Sequence, residues 1–369
     1  MNTGSSYTLK VVTFAVATVV GITMTSGYAR AADVAIALSA PMTGPDASLS
    51  DPIVKGYKLA IKTANAEAGL PGKVLENIQD DQDQPQIGTA VAHKLCGDDQ
   101  VVGVVGNLPS SMVLSSAPIY SDCDIAQISP EASNDLLSTH GWKTFFRTSS
   151  KNSDEAAAGV AWIRKNWPQI KTVATVDFND SGTRDQGRAF AAEWTKAGGT
   201  VVDQTHMTAG AGDYRGAITG VIAKQPQLII VCAFDTDGGL LVKQIRELGY
   251  KGSLFGADGV STPNFIKVAG ASNAEGFYLT NFGYEPAKIP SAARFTAAYQ
   301  AAYGEAPSAA AANAYDATMV LIHAWKAAGS SDRKKVLAGV THNDYPGLYG
   351  PSSSRRAAIS PRRRSVFTA

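Results

Sequence analysis

Short apolar runs alternate with longer helix-compatible segments along nearly all of this 369-residue chain, and that alternation excludes most folds at once. Asp33 to Leu38 is the first run, and it breaks at Ala40-Pro41-Met42-Thr43-Gly44-Pro45. The next segment places Ile53, Tyr57, Ala60, Ile61 and Ala64 at helical spacing and stops at Gly69, which predicts an amphipathic helix. Val74 to Ile78 reads as a strand ending at Asp80-Asp81, Gln86 to Cys96 as a helix, and Val101 to Val105 and Ile125 to Ser129 as strands with a helix between them. Strand, helix, strand in sequence requires parallel pairing through right-handed crossovers. Thr144 to Thr148 reads as an additional strand leading out of this unit.

From Ser153 the pattern restarts. Helices are predicted over Ser153 to Asn166, Asp185 to Ala197, Tyr214 to Lys224 and Gly238 to Leu248. Strands are predicted at Thr172 to Val176, Thr200 to Thr205, Leu228 to Cys232, Ser253 to Phe255 and Gly276 to Asn281. The chain then turns helical, over Ser291 to Tyr303, Ala309 to Ala328 and Asp332 to Ala338, with no strong strand beside these helices. They are expected to pack back on the first unit. The fold class is therefore α/β, with two doubly wound lobes and a cleft between them. The expected boundaries are 32–148 plus 282–341 for the first lobe and 149–281 for the second.

Both ends read differently. Lys10 precedes an apolar run from Val11 to Met24, followed by Tyr28-Ala29-Arg30-Ala31. This is the pattern of a cleaved export signal over residues 1–31, too short for a confident membrane span. At the other end, 342–369 forms a C-terminal segment whose arginine-rich part, from about 352, has no periodicity and reads as a disordered tail. Setting aside Lys10, Arg30 and the five tail arginines reduces 33 basic residues to 26 against 32 acidic ones. A mildly acidic body argues against nucleic acid as a partner.

An exported chain with three cysteines suggests one bridge and one leftover thiol. Cys96 and Cys123 stand at equivalent ends of sequential helices, so a disulfide between them is expected, while Cys232 closes an apolar run and reads as buried packing. The histidines show no paired ligand spacing, so neither a metal nor a cofactor is expected. No GxSxG elbow or catalytic cysteine flank is present. Gly210-Ala211-Gly212 lacks the third glycine and the lysine of phosphate loops and reads as a turn before an Asp213 cap.

The candidate site lies at the strand ends. Gly106-Asn107-Leu108-Pro109-Ser110-Ser111 and Pro130-Glu131-Ala132-Ser133 follow neighbouring strands. Hydroxyls and free helix-start N–H groups there suit a carboxylate. The plain alternative is that the serines only cap helices. Asp258, at the end of a second-unit strand, suits a ligand ammonium; the alternative is a turn or cap aspartate.

In order and spacing, AIALSAPMTGP (35–45), Asp80-Asp81, GNLPSS (106–111), ISPEAS (128–133) and FGADGV (255–260) resemble the leucine/isoleucine/valine-binding proteins of ABC importers. The resemblance covers roughly Asp33 to Gly350 and implies the type I periplasmic binding-protein fold. It implies a monomer in the periplasm that binds an amino acid, branched-chain or otherwise hydrophobic, and delivers it to an inner-membrane permease without catalysis. Ser110, with Ser111 beside it, would bind the ligand carboxylate, Ala132 and Ser133 its backbone groups, and Asp258 its ammonium. Ser181 and Leu49 stand where the family often has tyrosines, Phe234 keeps a ring without the hydroxyl, and Glu131 takes a place usually given to alanine. The polar clamp is kept while the side-chain pocket differs. An aromatic carboxylate, a urea-type ligand, a sensor domain and an exported enzyme are the alternatives. After Tyr349-Gly350-Pro351 the family would continue into a further inter-lobe crossing, so the basic tail reads as a truncated or frame-shifted end with that strand missing.

Overall fold

Fully buried strands need both faces covered, and the apolar runs of this chain supply such strands twice. A computed structural model of the chain describes residues 1–4, 32–44, 46–281, 283, 285–342, 344–349 and 366–368. The expected export signal thus lies, apart from its first four residues, outside the described residues. Met1–Arg30 and Ala31–Ala369 are separate units, and the fold is that of the second.

The first sheet is built from β1 (Val34–Ala40), β2 (Val74–Asp80), β3 (Val101–Gly106), β4 (Ala126–Ser129) and β5 (Phe145–Arg147). Helices α1 (Ala47–Ala66), α2 (Pro85–Cys96) and α3 (Ser110–Asp122) connect them. The spatial order is β2-β1-β3-β4-β5, all parallel, with Leu38 opposite Val105 and Val105 opposite Ile128. The order reverses between β1 and β3, which opens a crevice beyond their carboxyl ends.

The second sheet repeats the scheme. α4 (Asn152–Asn166), β6 (Thr172–Phe178), α5 (Ser181–Lys196), β7 (Thr200–Met207), α6 (Arg215–Ala223), β8 (Leu228–Cys232), α7 (Asp235–Glu247) and β9 (Ser253–Gly256) follow in turn. The short α8 (Pro263–Ala269) and α9 (Ala271–Ala274) precede β10 (Tyr278–Asn281). Strand order is β10-β9-β8-β6-β7, reversing between β6 and β8. The two crevices belong to the two lobes, and the chain passes between the lobes after β5 and again after β10.

The last helices, α10 (Ala293–Tyr303), α11 (Ala309–Ala328) and α12 (Arg333–Thr341), return to the first sheet. Ile53, Tyr57, Ala60 and Ala64 of α1 share one core with Ala311, Ala314, Leu321 and Trp325 of α11. The two helices approach so closely that a Cβ on Gly56 would lie 2.1 Å from the Ala311 carbonyl oxygen. The stability of this packing comes from burying apolar faces rather than from helix propensity.

Two expectations are tested at the termini of elements. Cys96 and Cys123 are bonded, their Cα atoms 5.8 Å apart, and Cys232 is a buried free thiol. The stretch expected to be disordered, Ser352 to Arg364, lies outside the described residues, but Val366–Thr368 beyond it are described. These residues form β11, antiparallel to β10 with Phe367 opposite Thr280. Val, Phe and Thr favour extended backbone, and the edge of β10 offers unpaired N–H and C=O groups. The remainder of the tail lies outside the described residues.

Candidate functional site

The first half of the site is set by a glycine. Gly106 closes β3 at φ +123°, and a Cβ there would lie 2.2 Å from the Ser39 carbonyl oxygen, so no larger residue fits. Asn107 is thereby turned inward and is completely buried. Its Nδ2 donates to Ser39 Oγ at 2.8 Å and to Asp81 Oδ2 at 2.7 Å, while its Oδ1 accepts from Ser116 Oγ and Gln127 Nε2. This residue ties the carboxyl ends of β1 and β3 to α3 and β4. Pro109 is extended, and Ser110 opens α3.

Ser110 is buried and its Oγ accepts from the Asn134 N–H at 3.2 Å. After β4, Ser129 Oγ donates to the Asn107 carbonyl at 2.6 Å and accepts the Ala132 N–H at 2.9 Å. The Ala132 N–H is therefore engaged within its own lobe. Arg147, at the end of β5, donates to the Ala132 and Asn134 carbonyls, both at 3.0 Å, and to Ser138 Oγ. Burial pushes its guanidinium down to about 10, which leaves it charged at neutral pH. It fixes the loop that presents Glu131, Ala132 and Ser133.

The second half centres on Asp258, which begins a 3-10 turn after β9 and is 2% exposed. It does not cap α8; Thr262 does, by accepting the Phe265 N–H. Gln186 Nε2 donates to Asp258 Oδ1 at 2.5 Å, and the Asp258 N–H donates to Glu155 Oε1 at 2.8 Å. Glu155 is itself fully buried and also accepts from Gln186 Nε2 and Thr280 Oγ1. Asp258 Oδ2 is buried with no hydrogen-bond partner. Burial first, then the neighbouring Glu155, holds the Asp258 carboxyl well above the usual carboxylate range, and burial raises Glu155 likewise.

The halves meet around a small cavity. Leu49, Leu108, Ser110, Glu131, Ala132 and Ser133 line it from the first lobe, and Asp180, Gly182, Thr183, Gln186, Phe234 and Asp258 from the second. None of these residues is basic. Hydrogen bonds between lobes ring the cavity: Ser48 Oγ to Asp235 Oδ2 at 2.9 Å, the Ser111 N–H to Asp180 Oδ2 at 3.3 Å, Asn134 Nδ2 to the Ser181 carbonyl at 2.8 Å, and the Asp135 N–H to Asp185 Oδ2 at 3.1 Å. The lobes are closed on each other.

Of the residues expected from sequence, Ser110, Glu131, Ala132, Ser133, Phe234 and Asp258 line the cavity, as does Leu49. Ser111 and Ser181 stand beside it rather than in it: Ser111 bonds across to Asp180, and Ser181 uses its carbonyl for Asn134. The second lobe contributes Asp180, Thr183 and Gln186, which sequence reasoning missed. The signal available was Asp180 directly before the helix-starting Ser181-Gly182, where its carboxylate accepts the Gly182 and Thr183 N–H groups. Among the described residues, no helix is long and apolar enough to cross a membrane, and no cluster of three or more metal-ligating side chains occurs.

This architecture is found in known proteins. A Leu/Ile/Val-binding protein homologue from Brucella melitensis is 29% identical over 332 residues, covering 89% of this chain and 88% of its own. The Leu/Ile/Val-binding protein BraC3 of Rhizobium johnstonii is 30% identical over 310 residues, 83% of each. A leucine-binding protein from Thermotoga maritima superposes with a TM-score of 0.80 at 26% identity, covering 86% of this chain and 90% of that one. The family model for periplasmic binding proteins matches residues 33–368, and the chain therefore belongs to the periplasmic binding protein family.

Proposed function

We propose that this protein is the periplasmic solute receptor of an ABC importer, which captures an α-amino acid by closing its lobes and presents the closed form to an inner-membrane permease. The supporting observation is a divided polar clamp. Ser110, the first residue of α3, and Ser133 line the cavity from one lobe, and Asp258, with one carboxyl oxygen unpartnered, lines it from the other. A zwitterion leaves water at low cost only if both ends are met, and only the closed form meets both. The first lobe supplies donors for the carboxylate without adding a full charge. In the second lobe two buried acids stand together with no cation among the cavity-lining residues, so a ligand ammonium supplies the missing countercharge. Its arrival favours ionised Asp258 and reverses the effect of burial.

Leu49, Leu108 and Phe234 give the side-chain end an apolar wall. The relatives' names make leucine, isoleucine and valine the first ligands to test. The protein acts by binding alone and releases the ligand unchanged.

Isothermal calorimetry with amino acids tests this reading. Asp258→Asn should weaken binding by roughly thirtyfold or more, because truncating one member of a buried charge pair costs about 2–5 kcal/mol. Thermal unfolding should remain cooperative. Affinity unchanged by the substitution, or chemical conversion of the bound ligand, overturns the proposal.

A further inference from the structure

Glu131 has no structural task in the fold. It follows Pro130 in the loop after β4, is 7% exposed, and lines the cavity between the lobes. Its N–H reaches Ser129 Oγ, but among the described residues nothing donates to its carboxyl group. Its charged neighbours are acids: Asp235, held by Ser48 and Thr262, and Asp258 on the facing lobe. Arg147, which grips the same loop, spends its donors on the Ala132 and Asn134 carbonyls and on Ser138. Its oxygens are not among the buried atoms shut off from solvent, so the carboxyl is served by cavity water, and a ligand that displaces that water must bring a donor of its own. A cavity-lining position is where a ligand can supply the missing partner.

Leu49 lines the same cavity and, with Glu131, also borders a second cavity extending toward Pro52 and Tyr299. Glu131 thus stands at the border of the two cavities, where a ligand side chain running past Leu49 would end.

We infer that Glu131 reads the far end of the ligand's side chain, and that the preferred ligand is an α-amino acid whose aliphatic stem ends in a hydrogen-bond donor: an ammonium, a guanidinium or an amide. The inference rests on the amino-acid reading of the site and narrows it. The stem lies against Leu49, Leu108 and Phe234, and the terminal donor reaches the Glu131 carboxyl. Burial, and then Asp235, push that carboxyl up to about 8. A cationic terminus therefore displaces a proton on binding, whereas an amide can bind the protonated acid.

The test is a calorimetric panel on the full mature chain. It contrasts leucine, isoleucine and valine with lysine, ornithine, arginine and glutamine, for the wild type and for Glu131→Ala and Glu131→Gln. The expected result is at least tenfold tighter binding of one or more donor-bearing amino acids than of leucine, a preference lost in Glu131→Ala. Glu131→Gln keeps the shape and serves as the folding control; it should bind glutamine better than it binds lysine. Retained preference for leucine, isoleucine or valine in the wild type, with an unchanged ranking in Glu131→Ala, overturns the inference and leaves the amino-acid reading standing. Failure of every amino acid to bind overturns both.

Discussion

At the scale of single residues, the site is governed by acids that the fold holds away from water. Glu131 has an ordinary value of 4.5 and is pushed up to about 8, first by burial and then by Asp235. The folded chain therefore keeps a proton that the unfolded chain loses near pH 4.5. The sign follows from linkage: the favourable contribution is complete below pH 4.5 and is lost as pH rises toward 8. Glu131→Gln removes this titration, so its melting temperature should exceed that of the wild type by a gap that widens between pH 5 and pH 8. Differential scanning calorimetry across that range checks it, and a constant gap would show that Glu131 is already paired. The same scale marks the limit of sequence reading. Ser110, Ser133 and Asp258 are legible because each follows the carboxyl end of a strand, where doubly wound sheets place ligands. Glu155 looks like an ordinary first-turn acid of α4, and nothing local reveals that it meets Asp258, 103 positions away. Asn107 is hidden for the same reason, since its partners Ser39 and Asp81 lie 68 and 26 positions from it.

At the scale of elements, α3 connects two features of different purpose. Ser110 stands at its first residue, and Cys123 directly follows its last. Thirteen residues at about 1.5 Å each put roughly 20 Å between the cavity and the disulfide. The bridge joins the far ends of α2 and α3 across a sequence separation of 27. Such a link stabilises chiefly by restricting the unfolded chain, by about 3 kcal/mol for a loop of this size. The Cys96→Ser, Cys123→Ser double variant should lose stability of about that size in urea unfolding while its ligand affinity stays within about twofold. A large loss of affinity would mean that the bridge also sets the position of Ser110. The bridge was legible because sequential crossover helices lie side by side with their equivalent ends adjacent. Strand β11 was not, since the arginine density of the tail masks Val366–Thr368 and the accepting edge of β10 belongs to another part of the chain.

At the scale of the whole molecule, function depends on how easily the lobes close. Acids line both sides of the closing edge. Asp46 and Asp83 of the first lobe are raised to about 6 and about 9, mainly by burial, and both also feel Asp180 of the second. Asp83 thus keeps its proton near neutral pH and shares it with Asp46, so closure is opposed only by the charge left on Asp46 facing the acids of the second lobe and is favoured by the inter-lobe hydrogen bonds, a balance that a ligand ammonium tips. Gly182 offers a way to shift this balance without replacing a polar side chain. It lies in the first turn of α5, and a Cβ there would come within 2.8 Å of Ser110 Oγ and 3.3 Å of Ser110 Cβ across the interface. The same Cβ would stand 2.9 Å from Asp180 Oδ1 in its own lobe, a contact that a small rotation of that carboxylate relieves. Alanine is a better helix former than glycine by about 1 kcal/mol, so Gly182→Ala should leave the ligand-free melting temperature unchanged or slightly raised. In the closed form the added methyl group presses on Ser110 and holds the lobes apart. The expected outcome is an affinity at least tenfold lower, together with a radius of gyration in small-angle scattering that shrinks less on ligand addition than in the wild type. Equal affinity and equal compaction would mean that the contact between Ser110 and Gly182 carries none of the closing geometry, and that the lobes meet instead through inter-lobe hydrogen bonds such as Ser48–Asp235 and Asn134–Ser181.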